Sequence, residues 1–361
     1  MSRRFCARTH RVAPSRWCVR AQNRLAVVAG AVAAAVLVGP VSPAYAADDD
    51  VIATITDGRI DESSALVQST VDPDLAYTIN DSGNDTVVYV LELASGDVVG
   101  TATLDVDAED TEAMAIGGDD RLYVADIGDN GADRSSVALY AIDQPRPGDV
   151  TVTPDVFEVR YSDGPSDAET LLVDPATGRM SIVTKNLLAG GVYRLPNPLR
   201  GDRVNVARPI GVSTPGMVTD GGYLPDGEGV LLRTYIDIAV FAVPRWRELD
   251  SIDTPPQRQS ESLATWDDGR SVLVGTEKLP SPIIEVRIPR HEWRRLHAGP
   301  DRDVSGSPPS PVASTTAEDD DEIDRGWVLV SGAALVVLGG AWLSARGARR
   351  RRRSDQSRST M

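Results

Sequence analysis

The chain has 361 residues, with 37 Lys+Arg against 53 Asp+Glu, and only two Cys and three His, so thiol chemistry, disulfide scaffolds and Cys-based zinc sites have almost nothing to build on. Seven Arg precede residue 47 and seven follow residue 345, and of the acids only Asp355 lies in either end, leaving 23 basic and 52 acidic residues between, a net −29. Such a field repels nucleic acid and anionic lipid and attracts cations, which excludes nucleic-acid binding for this part of the chain.

Residues 1–46 read as a secretory signal. An Arg-rich stretch without acids leads into the apolar run Leu25 to Val38 and the small-residue exit Ala44-Tyr45-Ala46, the spacing that a signal peptidase reads. Arg3-Arg4 resembles a twin-arginine signal but stands far upstream of the apolar run. Cys6 and Cys18 both fall in this segment, so the expected mature chain has no Cys and must be held by its own core. Residues 47–300 are ample for one large core.

One grammar then recurs in five blocks: an acid, a short apolar strand, an Asp/Pro/Gly turn, a β-rich strand, a polar loop and a third strand. Glu62 opens SALVQS, the turn Asp72-Pro73-Asp74, LAYTIN and VVYVLEL. Glu112 opens AMAIG, RLYVADI and VALYAI, and Glu169 opens TLLVD, RMSIVTK and GVYRLP. Asp220 precedes GYLP, VLLRTY and IAVFAV, and Glu261 precedes SLATW, SVLVGTE and PIIEVRI. Outer fourth strands are predicted at DVVGTATL, VFEVRYS and RVNVARPI. The last block lacks one, and the orphan strand VIATITD (Val51 to Asp57) is predicted to supply it from the N-terminus, hiding sheet edges. Short strands at this period predict an all-β chain, a β-propeller of five blades; six or seven blades, or a β-sandwich with chance periodicity, are the alternatives.

HEWRRLHAG is predicted to form a short surface helix, and residues 301–325, Ser/Pro/Thr-rich and then acidic, to form a charge-extended stalk. Gly326 to Ala345 are twenty residues without a charge, enough to span ~30 Å of hydrocarbon, with Trp327 and Trp342 near the ends. Arg346 and Arg349 to Arg353 follow, which places the tail 346–361 in the cytoplasm and the body outside, on a single-pass plasma-membrane anchor. A sortase anchor would share this tail but needs an LPxTG-like motif, which the chain lacks.

The phrases NDSGND (Asn80 to Asp85), LYVADIGDN (Leu122 to Asn130), YSDGPSDAETLLVDPATGR (Tyr161 to Arg179) and VLLRTY (Val230 to Tyr235) carry a resemblance. The chain resembles exported actinobacterial β-propeller proteins related to the phytase-like (esterase-like activity of phytase) and NHL-like propellers, over most of residues 60–290. This implies the fold more firmly than an activity.

Antiparallel geometry brings the acid that opens each block and the polar residue that ends its second strand to one face. This predicts an inner ring of Glu62, Glu112, Glu169, Asp220 and Glu261, flanked by Asp81, Asp126, Lys185, Arg233 and Glu277. The ring has two readings: hard oxygen ligands for Ca²⁺, or caps for backbone N–H groups at the loops. Asp126 to Gly131 looks metal-like but lacks EF-hand spacing, and Asn130-Gly131 is first a hairpin signal. Lys185 and Arg233 have the chemistry to grip a phosphate or carboxylate, or are surface cations. His291 and His297 lie beyond the last block, which leaves no Ser-His-Asp set, and no catalytic residue is assigned. The expected function is an extracellular module binding a ligand or protein, with Ca²⁺ as a structural ion. The alternatives are a Ca²⁺-dependent phosphoester hydrolase resembling phytase and a glycan-cleaving propeller using ring carboxylates.

Overall fold

The structure is a computed structural model that describes residues 50–81, 85–266 and 269–298. The predicted signal (1–46), stalk (301–325), span (326–345) and tail (346–361) lie outside the described residues. Among the described residues no helix is long and apolar enough to cross a membrane.

The chain opens with β1 (Val51–Ile55). A first meander follows: β2 (Ser63–Gln68), β3 (Leu75–Asn80), β4 (Val87–Glu92) and β5 (Val98–Leu104). The second has β6 (Thr111–Ile116), β7 (Arg121–Asp126) and β8 (Val137–Asp143), then an excursion, β9 (Gly148–Val152), before its outer strand β10 (Asp155–Tyr161). The third comprises β11 (Ala168–Val173), β12 (Met180–Thr184), β13 (Ala189–Arg194) and β14 (Asn205–Pro215). The fourth is β15 (Val218–Tyr223), β16 (Gly229–Thr234), β17 (Asp237–Ala242) and β18 (Arg247–Asp253). β19 (Ser260–Trp266), β20 (Ser271–Thr276) and β21 (Ser281–Arg287) come last, before helix α1 (Arg290–Leu296). The described chain is all-β, and its repeated four-stranded units fit a β-propeller.

The innermost strands neighbour one another in a cycle: β2 beside β6, β6 beside β11, β11 beside β15, β15 beside β19, and β19 beside β2. The core follows that cycle. In place of one large core, the described residues form five apolar clusters, each wedged between two meanders that adjoin in the cycle. In β16, Val230 and Leu232 pack toward the third meander while Leu231, on the opposite pleat, packs toward the last. Because a strand so placed is buried on both faces, its sequence is a continuous apolar run rather than an alternating one.

The N-terminal strand pairs as the missing outer strand predicts: β1 runs antiparallel to β21, with Val51 opposite Ile284 and Ile55 opposite Ser281. Three features went unforeseen. β18 (RELDSID) buries only Ile252, so a charged outer strand carries no apolar signature. β9 adds to the first meander in parallel with β5, and β10 pairs in parallel with β14, joining the second and third meanders into one eight-stranded sheet. Both pairings cover outer edges that would otherwise offer unpaired backbone. Helix α1, read as a surface element, buries Leu296 in the cluster of the last two meanders, with Trp293 packed against it.

Candidate functional site

Each meander enters its innermost strand with one extra residue in the ladder. The extra residues are Ser64, Glu112, Glu169, Thr219 and Glu261, each falling between two residues that pair in register with the second strand. A bulge of this kind re-aims a side chain and strengthens the local twist. Three of the predicted ring acids therefore hold equivalent places, Glu112, Glu169 and Glu261, and all three are buried.

Glu62 and Asp220 are out of register with them: Glu62 stands two residues before its bulge, ahead of β2, and Asp220 one residue after its own, where the period of two along a strand makes one residue decide a face. Glu62 precedes the first bulge and is half-buried, bonding Lys278 at 3.4 Å. Ser64 takes its place and donates to both the carbonyl and the carboxylate of Glu112, each at 3.0 Å. Asp220 follows the bulge at Thr219. Its carboxylate accepts the N–H of Gly221 at 2.8 Å and of Leu263, on the next innermost strand, at 2.7 Å, and the N–H of Leu66 also faces it. Asp220 thus ties three innermost strands together, which is a capping role. Burial raises its pKa well above the ordinary carboxylate value, and those N–H groups pull against that.

The second-strand ends sort the same way. The N–H groups of Asp81, Lys185 and Glu277 donate to Glu62, Asp167 and Gln259, the residues just before their innermost strands, and so are equivalent. Arg233 lies inside β16 opposite Asp220, fully buried, and donates through Nη2 to Gln257. Burial lowers its pKa to about 10, opposed by Glu261 and Asp220. Tyr235, beyond the end of β16, is the residue that reaches Lys185, whose Nζ lies 3.1 Å from the phenol oxygen. Lys185 forms a buried ion pair with Glu169. Burial disfavours the ammonium, but Glu169 and then Glu261 hold its pKa well above that of an ordinary lysine. Glu261 is pushed up to about 7 by burial, with Lys185 opposing.

Asp126 is committed to the fold. Its two oxygens accept the N–H groups of Asp110 (3.0 Å) and Glu109 (3.1 Å) and the hydroxyl of Tyr140 (3.0 Å), and Arg134 pairs with it at 2.8 Å. It thereby fixes the loop that carries Asp110. There Asp81, Asp110 and Glu112, all buried, bring one carboxylate oxygen each to within 4.8 Å of one another. Burial pushes Glu112 well above the ordinary range, and Glu169 and Asp110 push it further. Three carboxylates so close and so dry have the donor chemistry of a hard-cation site. Asp110 was missed because it is one acid among four in Asp105 to Asp110, where only the fold shows which turns inward.

On the connections that also carry Asp81 and Asp110, an open cleft of about 470 Å³ is lined by Asp85, Asp105 and Asp107 with Thr86, Thr103 and Thr151. No protein-family model matches the chain, and no curated protein has a matching sequence.

Proposed function

We propose that this chain is an exported, membrane-anchored, five-bladed β-propeller that binds an extracellular ligand or protein partner. A Ca²⁺ ion held by Asp81, Asp110 and Glu112 braces the entry of its second blade. The blade count is supported by the five wedge-shaped cores and by β1 completing the last sheet. The observation that carries the ion is the convergence of three buried carboxylates within 4.8 Å. A bound divalent cation would offset their mutual repulsion, and the net −29 of the body would draw it in.

A binding role fits this face better than phosphoester hydrolysis. Lys185 and Arg233, the cations that would grip phosphate, are buried and bonded to Glu169 and Gln257, and Lys278 is shared between Glu62 and Glu277. A phosphate would have to displace those partners. The ring carboxylates Glu112, Glu169 and Glu261 are equally withdrawn from solvent, which counts against glycan cleavage as well.

The test is thermal unfolding of the chain with and without Ca²⁺. An ion that binds only the folded state stabilises by RT ln(1 + [L]/Kd), roughly 2.7 kcal/mol at a hundredfold excess over Kd. Asp110→Asn with Glu112→Gln should remove that gain while keeping the fold. No shift at millimolar Ca²⁺ would defeat the ion. Protease added to intact cells should remove the body and leave a small membrane-bound stub, and protection of the body would defeat the orientation.

A further inference from the structure

The face onto which the innermost strands open carries two unlike features on different meanders. On the side of the first two meanders it is acidic: residues 105–110 hold four acids and no base, and the cleft of Asp85, Asp105 and Asp107 lies there. On the side of the third and fourth meanders three apolar tips stand out among charged neighbours such as Asp163, Asp237 and Arg258. Leu187, Leu188 and Ile236 are 68%, 88% and 78% exposed, the most exposed large apolar side chains among the described residues. Their two loops are neighbours, because the hydrogen bond between Lys185 and Tyr235 joins the stretches immediately preceding them. The ammonium of Lys185 also sits 5.3 Å from the centre of the Tyr235 ring. The loop of Leu187 is pinned as well: its backbone packs over Gly216, and the carbonyl of Asn186 accepts the N–H of Met217. Ile236 is held through its carbonyl, which accepts from Thr254 at 3.1 Å.

A single exposed leucine is ordinary, but three large apolar side chains on neighbouring, anchored loop tips cost solubility unless they are covered. Their covering partner is defined by what lies beside them. A lipid surface of biological membranes is commonly anionic, and the acidic side of this face repels it. A polypeptide carrying Lys or Arg together with aliphatic side chains satisfies both halves at once, apolar groups against the tips and cations in the cleft.

We infer that this face docks a basic, amphipathic segment of a partner protein, with Leu187, Leu188 and Ile236 as the apolar anchor and Asp85, Asp105 and Asp107 as the cation subsite. The inference rests on the binding role proposed above and gives it a partner class and a location.

The experiment uses the full chain in nanodiscs of zwitterionic lipid and two labelled probe peptides of equal charge, one of Lys and Leu in amphipathic helical order, the other of Lys and Ser. Vesicles of anionic lipid serve as a third probe. The variants are L187S/L188S/I236S and D105N/D107N, all at exposed or cleft positions, with thermal unfolding as the check that each folds. The expected result is that the triple substitution weakens the Lys/Leu peptide at least tenfold and leaves the Lys/Ser peptide unchanged, while D105N/D107N weakens both. Lys/Leu binding that survives the triple substitution overturns the inference but leaves a binding module with its site elsewhere. Vesicle binding that the triple substitution abolishes overturns it in favour of a lipid surface. Failure of every probe on the unsubstituted chain, with empty nanodiscs as background, overturns the inference and counts against the binding role together.

Discussion

Gly128 lies directly against Asp110: a Cβ on Gly128 would fall 2.5 Å from Oδ2 of Asp110 and 2.8 Å from Oε1 of Glu112. Its φ is unexceptional for any residue, so glycine is required here by space and not by backbone conformation. Gly128→Ala must therefore push Asp110 and Glu112 apart or shift the loop, at about 1–3 kcal/mol, the usual cost of overpacking. Denaturant unfolding should show that loss, and the Ca²⁺-dependent gain in melting temperature should vanish with it. A variant that keeps the full gain would place the ion away from these carboxylates.

How much of this was legible in the sequence depends on what each feature signals. The strands read well where both faces are buried, as in β3 (LAYTIN) and β16 (GVLLRT), because a short apolar run bounded by Asp/Gly turns is too brief for a helix and fits a strand covered on both sides. β18 read poorly because its exposed Arg247, Glu248 and Asp250 leave one buried side chain. For the site, the acids were visible but their register was not. A bulge inserts one residue without any compositional mark, so Ser64 stands in line with Glu112 while Glu62 does not, and Thr219 displaces Asp220. Tyr235 as the partner of Lys185 and Asp110 as a cluster member depend on contacts between meanders, which no local pattern encodes.

Deleting Val51 to Asp57 tests the closure. β1 supplies the outer strand of the last meander, and Ile55 is buried among Leu66, Leu91 and Leu273 of the first and last meanders. Without it β21 becomes an open edge and that wedge loses its floor. The melting temperature should fall by many degrees, with aggregation on heating. A truncated chain that melts like the intact one would refute closure by β1.

Stability should decline as pH rises through neutrality. Glu261 is raised from an ordinary 4.5 to about 7, mainly by burial, so the folded chain binds its proton more tightly than the unfolded chain does. The resulting stabilisation is fully present below about pH 4.5 and is lost as pH rises through about 7, with an upper bound on the order of 3 kcal/mol at ~1.4 kcal/mol per unit. Glu112 and Asp220 are shifted in the same direction by burial and reinforce the trend. Melting measured from pH 5 to pH 8 should show this decline, with a shallower slope in Glu261→Gln and a shallower slope again when Ca²⁺ is present at the alkaline end. A melting temperature that climbs across this range would mean the buried acids are ionised at little cost.

Lys185 and Glu169 should behave as a buried pair rather than as two independent groups. Both are almost wholly buried, and Lys185 also answers to Glu261 and Tyr235, so removing the ammonium leaves carboxylates without their cation in a dry site. Lys185→Met should cost about 3–5 kcal/mol, the range for breaking a buried ion pair from one side. Adding Glu169→Gln should recover a large part of that loss, since the uncompensated charge goes with it, and a double-mutant cycle by denaturant unfolding measures the coupling. The recovery should be incomplete, because Glu261 still lies in the field that Lys185 neutralised. Two losses that simply add would show that Lys185 contributes packing alone and that the ion pair is not what holds the start of β11 against the end of β12.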